Sequence, residues 1–159
     1  MRVVFIIMLF IGWQLTAVAD ELAVVLNGKA IHLDGGDYNE KNWGLGINYD
    51  WTPRNNWITF LNASYFEDSN SNFSKYAGGG MKRRFNLDGE EDGWRADVGG
   101  IAFLMTRVDY KNNDPFFGVL PFAALSYGPM TVNMTYIPSV SPKHKELLFF
   151  QLMIRIATF

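Results

Sequence analysis

The stretch that decides the fold is residues 43–51, which read WGLGINYDW. Bulky side chains occupy every second position, and small or polar side chains occupy the positions between them. Because side chains alternate between the two faces of a β-strand, one face of this segment is apolar. Aromatic residues stand at both ends of that face with aliphatic residues between them, as in the lipid-facing strands of outer-membrane β-barrels. A half-buried strand of a soluble sandwich would also alternate, but it gives no reason for aromatic residues at both ends.

Polar segments rich in turn residues divide the rest of the chain into strands of similar length. The sequence predicts eight strands, at residues 22–31, 43–51, 57–67, 73–85, 94–106, 116–126, 130–138 and 147–159. Eight strands of about ten residues suit a small outer-membrane barrel, and an even number places both termini on one side. We therefore predict an all-β fold, an eight-stranded antiparallel transmembrane β-barrel.

The composition excludes several classes of site. The chain has 159 residues, no cysteine, two histidines and a formal net charge of −2. A chain without cysteine has no disulfide scaffold and no thiol chemistry, and a nucleic-acid-binding protein would need a basic face. We expect no cofactor, no metal and no nucleic-acid partner, and we expect the chain to act as a monomer.

The first 19 residues have the pattern of a secretory signal peptide. Arg2 supplies a positive start, an apolar run follows, and Ala17-Val18-Ala19 forms a small-residue cleavage site before Asp20. The alternative is an uncleaved membrane anchor, but the apolar run is shorter than the ~20 residues that a spanning helix needs. The predicted barrel domain is therefore residues 20–159.

Two of the predicted strands are apolar on both faces, at residues 98–105 (VGGIAFLM) and 116–125 (FFGVLPFAAL). They predict that the barrel interior is apolar at the level of these two strands. Such an interior is either a pocket for a hydrocarbon chain or a lumen filled by its own side chains. Gly78 and Gly80 share one face of their strand, and their missing side chains would leave volume for a pocket. Glycines also mark bends and bulges in barrels, and that alternative stays open.

Two prolines fall inside or at the end of strand patterns, Pro121 and Pro138. Proline has no N–H for pairing between strands. Each proline therefore either opens a lateral gap through which lipid could enter, or marks a strand end or bulge.

Strand parity brings three reactive side chains to one rim. If the N-terminus lies in the periplasm, the outer connections are residues 32–42, 68–72, 107–115 and 139–146. His32, Asp68 and Ser69 then meet at the outer rim, and they are the residue types of a general-base or nucleophile system. His144 lies on another outer loop between two lysines, where a solvated basic loop is the favoured interpretation.

Three segments resemble the lipid A palmitoyltransferase family, PagP. They are LPFAALSYGPMTVNMTYIP at residues 120–138, DYNEKNWGLG at residues 37–46, and FEDS at residues 66–69 followed by AGGG at residues 77–80. The resemblance implies an eight-stranded barrel in the outer membrane of a Gram-negative-type envelope. It also implies transfer of a palmitoyl chain from a phospholipid, the acyl donor, to lipid A, the acceptor.

The resemblance also implies roles for individual residues. His32 would transfer protons, Asp68 would be its orienting or electrostatic partner, and Ser69 would be a hydrogen-bond donor or nucleophile. Gly80, together with Gly78 on the same face, would border the floor of the acyl pocket. Pro121 and Pro138 would border the lateral entrances for lipid.

The chain also departs from the family pattern. Only Asp20 stands between the predicted cleavage site and Glu21-Leu22, which leaves no room for the amphipathic helix that precedes the first strand in the family. The first outer loop is short, with five residues between His32 and Tyr38. These departures favour an alternative function, a non-catalytic barrel of the same fold that binds lipid or is structural. A lipid A deacylase barrel is disfavoured, because no His-x-Ser pair lies near the last strands.

Overall fold

The computed structural model describes residues 19–33, 38–52, 55–90, 92–110, 113–139 and 146–159. Eight strands form a closed antiparallel barrel in sequence order, and β1 pairs with β8. The strands are β1 Glu21–His32, β2 Lys41–Trp51, β3 Trp57–Glu67, β4 Phe73–Asn86, β5 Arg95–Thr106, β6 Phe116–Tyr127, β7 Met130–Ile137 and β8 Leu147–Thr158. The predicted fold class is confirmed. His144 and residues 1–18 of the predicted signal peptide lie outside the described residues.

The predicted strand bounds differ from the observed ones by at most two residues, at the start of β2. β1 has a bulge between Asn27 and Lys29, and beyond it Lys29 pairs with Lys41. This pairing extends β2 by two residues, which the alternation of residues 43–51 did not show. Within the described ranges, no helix is long and apolar enough to cross a membrane.

The alternation of side chains is observed along β2. Trp43 and Leu45 are 67% and 64% exposed, whereas Asn48 and Asp50 are buried in the barrel. Large apolar side chains are exposed on the outside of every strand, and the buried polar side chains face the lumen. A surface of this kind suits a hydrocarbon solvent and not water.

The two ends of the barrel differ. One end, called the turn end below, carries the short connections at residues 52–56, 87–94 and 128–129, together with the start of β1 and the end of β8. There Asp20 and Phe159 exchange two backbone hydrogen bonds, and Gly128 has a φ of +57°, which favours glycine in the tight turn between β6 and β7. The opposite end, called the loop rim, carries the connections at residues 33–40, 68–72, 107–115 and 138–146.

Charged side chains fill the lumen near the turn end. The Lys82 ammonium lies 2.6 Å from Asp50 Oδ2 and 3.3 Å from Asp97 Oδ2. Arg84 binds Asp97 through Nε at 3.0 Å and Nη2 at 3.1 Å. Three guanidinium groups, those of Arg84, Arg95 and Arg155, also lie within 3.7 Å of Glu21 Oε1. The buried charges are therefore paired, as burial requires.

Amide and hydroxyl side chains fill the middle of the lumen. Asn27 Nδ2 donates to Ser64 Oγ at 2.6 Å, and Gln151 Nε2 donates to Asn27 Oδ1 at 2.7 Å and to the Tyr76 hydroxyl at 2.9 Å. The Tyr76 hydroxyl donates in turn to Asn62 Oδ1 at 2.7 Å. This network ties four strands together across the lumen and leaves the part nearer the loop rim to apolar side chains.

Candidate functional site

A largely apolar pocket of about 370 Å³ runs inward from the loop rim. The two strands with apolar faces on both sides supply much of its wall: Ile101, Phe103 and Met105 from β5, and Phe116, Gly118, Leu120 and Phe122 from β6. Phe66 and Phe149 close the opposite side. The sequence left open whether the apolar interior is a pocket or is filled by side chains, and the structure contains a pocket. Its volume lies within the ~300–1,000 Å³ usual for small-ligand sites.

The pocket also reaches the outer surface between β6 and β7. Phe117 and Val119 face outward, at 67% and 63% exposed, and yet they line the pocket together with Pro138. Pairing between β6 and β7 runs from Tyr127 to Phe122 and stops there, and Pro121 is the next residue of β6. The wall is therefore unpaired between the level of Pro121 and the end of β7, where Pro138 follows.

Asp68 lies at the pocket mouth and is 2% exposed. Its Oδ1 accepts hydrogen bonds from the backbone N–H groups of Asn70 at 2.9 Å and Asn72 at 3.1 Å. Its Oδ2 accepts one from Ser74 Oγ at 2.8 Å and lies 3.4 Å from Arg107 Nε. Oδ1 thus shapes the 68–72 loop, whereas Oδ2 holds the loop to β4 and to Arg107, and none of these contacts is with His32.

Ser69 follows directly in this loop and also lines the pocket, half-buried. Its carbonyl oxygen accepts a hydrogen bond from the backbone N–H of Asn39 at 3.1 Å. Since the loop curls around the Asp68 carboxylate, the adjacent serine is held at the pocket mouth.

His32 is the last residue of β1 and is 9% exposed. Its ring stacks on Tyr38 with centroids 4.0 Å apart and an interplanar angle of 21°. Its backbone N–H donates to Glu40 Oε1 at 3.4 Å. Among the described residues, the pocket lining includes Asp68 and Ser69 but not His32. The structure thus places all three on one rim, with residues 38–40 between His32 and the 68–72 loop.

Gly78 and Gly80 lie on the lumen side of β4, in register with the inward-facing Tyr76 and Lys82. A Cβ at Gly80 would overlap the carbonyl oxygen of Gly100, and one at Gly78 would overlap that of Ala102. The close approach of β4 to β5 therefore requires glycine at both positions. Neither residue lines the pocket, so their role at a pocket floor stays a prediction.

Sequence reasoning missed two residues of the rim. Arg107 lines the mouth, with its Nε 3.4 Å from Asp68 Oδ2 and 3.5 Å from Asp109 Oδ1. Asn39 contacts three consecutive residues of the 67–69 segment. Both lie in polar connections, where no periodicity distinguishes a functional side chain from a solvated one. The described part of the chain holds no group of three or more histidine, aspartate or glutamate side chains that could bind a metal ion.

Comparison with known proteins agrees with this geometry. A relative from Methylobacillus flagellatus, named "Lipid A acyltransferase PagP", is 36% identical over 115 residues, which cover 71% of this chain and 59% of the relative. The Escherichia coli "Lipid A palmitoyltransferase PagP" is 35% identical over 102 residues, 64% of this chain and 53% of that protein. The chain thus spans a little more than half the length of these curated relatives.

A solved structure, that of the attachment invasion locus protein Ail of Yersinia pestis, matches with a TM-score of 0.50 at 12% identity and covers 89% of this chain and 98% of that one. This likeness supports the barrel fold alone. The family model described as "Antimicrobial peptide resistance and lipid A acylation protein PagP" matches residues 32–152. The match covers most of the chain and includes every site residue considered above, so the chain belongs to the PagP family.

Proposed function

We propose that this protein is an outer-membrane acyltransferase that moves a palmitoyl chain from a phospholipid to lipid A. The observation that carries the proposal is the pocket, which is apolar inside, has Ser69 and Asp68 at its mouth, and opens sideways between β6 and β7. A hydrocarbon chain could enter such a pocket from the bilayer without crossing water. Two relatives are named as a lipid A acyltransferase and a lipid A palmitoyltransferase, and these names support the same function.

The reaction needs a hydroxyl of the acceptor to attack the ester carbonyl of the donor. A new ester bond to the acceptor forms, the ester bond to the phospholipid glycerol breaks, and the lysophospholipid leaves. The proton of the attacking hydroxyl ends on the departing glycerol oxygen. His32 is the proposed carrier of that proton, because histidine is the side chain best suited to proton transfer near neutral pH.

Ser69 is the proposed hydrogen-bond donor or nucleophile at the carbonyl. As a nucleophile it would first form an ester with the palmitoyl chain while the lysophospholipid leaves, and the acceptor hydroxyl would then attack that ester and release the serine hydroxyl. Asp68 is proposed to act in part through the loop that its carboxylate shapes, since its Oδ1 accepts two backbone hydrogen bonds from that loop and its Oδ2 accepts one from Ser74 of β4. Gly78, Gly80, Pro121 and Pro138 keep their proposed places around the acyl chain. The protein is proposed to work as a monomer in the outer membrane.

The test uses the purified barrel in detergent, with phospholipid and lipid A, and measures acylated lipid A by mass spectrometry. The wild type should produce it, and Ser69→Ala and His32→Ala should abolish the product while the barrel stays folded. Ser126→Ala is the matched control, because Ser126 is buried at the turn end and bonds to Thr131 instead of lining the pocket. This control should retain activity.

The competing function is a non-catalytic barrel that holds lipid. It predicts a folded wild type that retains phospholipid through purification but transfers no acyl chain. That result would overturn the proposed activity and leave the family assignment and the fold unchanged.

A further inference from the structure

We propose that Asn39 is a positioning residue that holds Ser69 in place relative to His32. The inference rests on the proposed function, in which these two side chains act on the same ester. It concerns how the rim is assembled, because the 68–72 loop follows β3 whereas His32 ends β1.

Asn39 donates hydrogen bonds to three consecutive residues of the 67–69 segment. Its backbone N–H donates to the Ser69 carbonyl oxygen at 3.1 Å. Its side-chain Nδ2 donates to Glu67 Oε1 at 3.1 Å and lies 3.4 Å from the Asp68 carbonyl oxygen, which it also contacts as a donor. Its Oδ1 accepts from the Lys41 backbone N–H at 3.0 Å. Because Oδ1 faces a donor and Nδ2 faces only acceptors, these partners determine the amide orientation.

The neighbours of Asn39 contact His32. Tyr38 stacks on the imidazole ring, and Glu40 accepts the His32 backbone N–H. Glu40 is itself held to β1, since its carbonyl oxygen accepts the Ala30 N–H at 3.0 Å. Residues 38–40 therefore form a three-residue bridge, with His32 on one side and Ser69 on the other.

The other contacts hold the loop at other points. Asn42 Nδ2 donates to the Glu67 carbonyl oxygen at 2.9 Å, at the end of β3 and two residues before Ser69. The Asp68 carboxylate fixes the internal shape of the 68–72 loop. Arg107 and the Asn70–Asp109 hydrogen bond tie the loop to the 107–110 turn, which follows β5 on the far side of the barrel from β1. Without the Asn39 amide, the loop could keep its shape and still shift relative to His32. A misplacement of about 1 Å in an active site can cost about 100-fold in rate.

The test compares kcat and KM for acyl transfer in Asn39→Asp and in the wild type. The variant keeps the acceptor for Lys41 but replaces the amide donor with a carboxylate that faces Glu67. We expect kcat to fall about 10- to 100-fold, with both lipid KM values unchanged, because the pocket is intact. The double variant Asn39→Asp/Glu67→Gln exchanges donor and acceptor across the same contact and should recover part of the lost kcat.

The matched control is Asn70→Asp. Asn70 is an exposed amide of the same loop, and the change likewise sets a carboxylate against its partner, Asp109. If Asn70→Asp lowers kcat as much as Asn39→Asp, general loosening of the loop explains the effect and the inference is overturned. An unchanged kcat in Asn39→Asp beside an active wild type overturns it as well, and leaves the proposed function standing.

A measurement that does not depend on turnover tests the role of Asn39 separately from the proposed acyl transfer. Hydrogen exchange of the Asn39 backbone amide should be slow in the wild type, since this N–H donates to Ser69. It should be faster in Asn39→Asp. Fast exchange in the wild type would refute the bridge even if the enzyme is active, whereas an inactive wild type with a protected Asn39 amide refutes only the proposed reaction.

Discussion

Replacing Lys82 by methionine should destabilise the barrel by about 3–5 kcal/mol, the usual cost of breaking a buried ion pair. The side chains of Lys82, Asp50 and Asp97 are 9%, 4% and 0% exposed. At separations of 2.6 and 3.3 Å, the two attractions amount to about 6 and 5 kcal/mol for an effective dielectric constant of ~20. Desolvation of the three ions offsets most of that sum. The loss in Lys82→Met arises because Asp50 and Asp97 then share Arg84, which also lies near Glu21.

Denaturant unfolding of the barrel, refolded in detergent and followed by tryptophan fluorescence, measures this cost. The double variant Lys82→Met/Asp50→Asn should be more stable than Lys82→Met, because one unpaired carboxylate has been removed, and the two substitutions should couple by about 0.5–3 kcal/mol. Lys75→Met is the control on the same strand, since Lys75 is exposed on the outside. If Lys82→Met unfolds at the wild-type midpoint, or the double variant is less stable still, the paired-charge account of the lumen is refuted.

Three further substitutions test the pocket and its surroundings. Gly80→Ala should cost about 1–3 kcal/mol of unfolding free energy, because the added Cβ meets the Gly100 backbone, whereas a Cβ at Gly100 would have its nearest neighbour at 3.6 Å; equal midpoints for the two alanine variants would contradict this. Phe103→Leu enlarges the pocket and should shift the acyl chains found in the product towards longer ones, and an unchanged chain profile by mass spectrometry would show that Phe103 does not bound the chain. Tyr76→Phe should cost about 1–3 kcal/mol by leaving buried amide partners unpaired, while Tyr65→Phe, on the exposed outer face, should leave the midpoint unchanged.

The fold could be predicted closely because the same requirement, an apolar outward face, applies to every strand of the barrel. In a barrel surrounded by lipid, every second side chain of a strand faces outward and has to be apolar. Residues 43–51 show this alternation with small or polar residues on the inward face. The bulge at Asn27 and Lys29 could not be predicted, since it depends on the register between β1 and its neighbours. The glycines of β4 were open to two interpretations for the same reason. Only the distance between β4 and β5 shows that Gly80 has no room for a side chain.

The sequence predicted which residues lie at the loop rim, but it did not predict the contacts between them. Parity along the strands places His32, Asp68 and Ser69 at one end, because each lies where a strand leaves the barrel on that side. The contacts between them depend on how the connections fold back. The sequence suggests Asp68 as a partner for His32, yet its carboxylate accepts hydrogen bonds from two backbone N–H groups of its own loop and from Ser74 of β4. The link to His32 instead runs through Asn39 and its neighbours, in a polar segment with no periodicity to mark it.

This arrangement explains how a short first connection can still complete a rim. Residues 38–40 contact both β1 and the 67–69 segment through backbone and side-chain groups, so no long loop is needed to span the distance between them. The unpaired backbone of the pocket wall lies between β6 and β7, away from this bridge. In the proposed function lipid enters there, so the residues that hold Ser69 in place do not have to move when an acyl chain arrives.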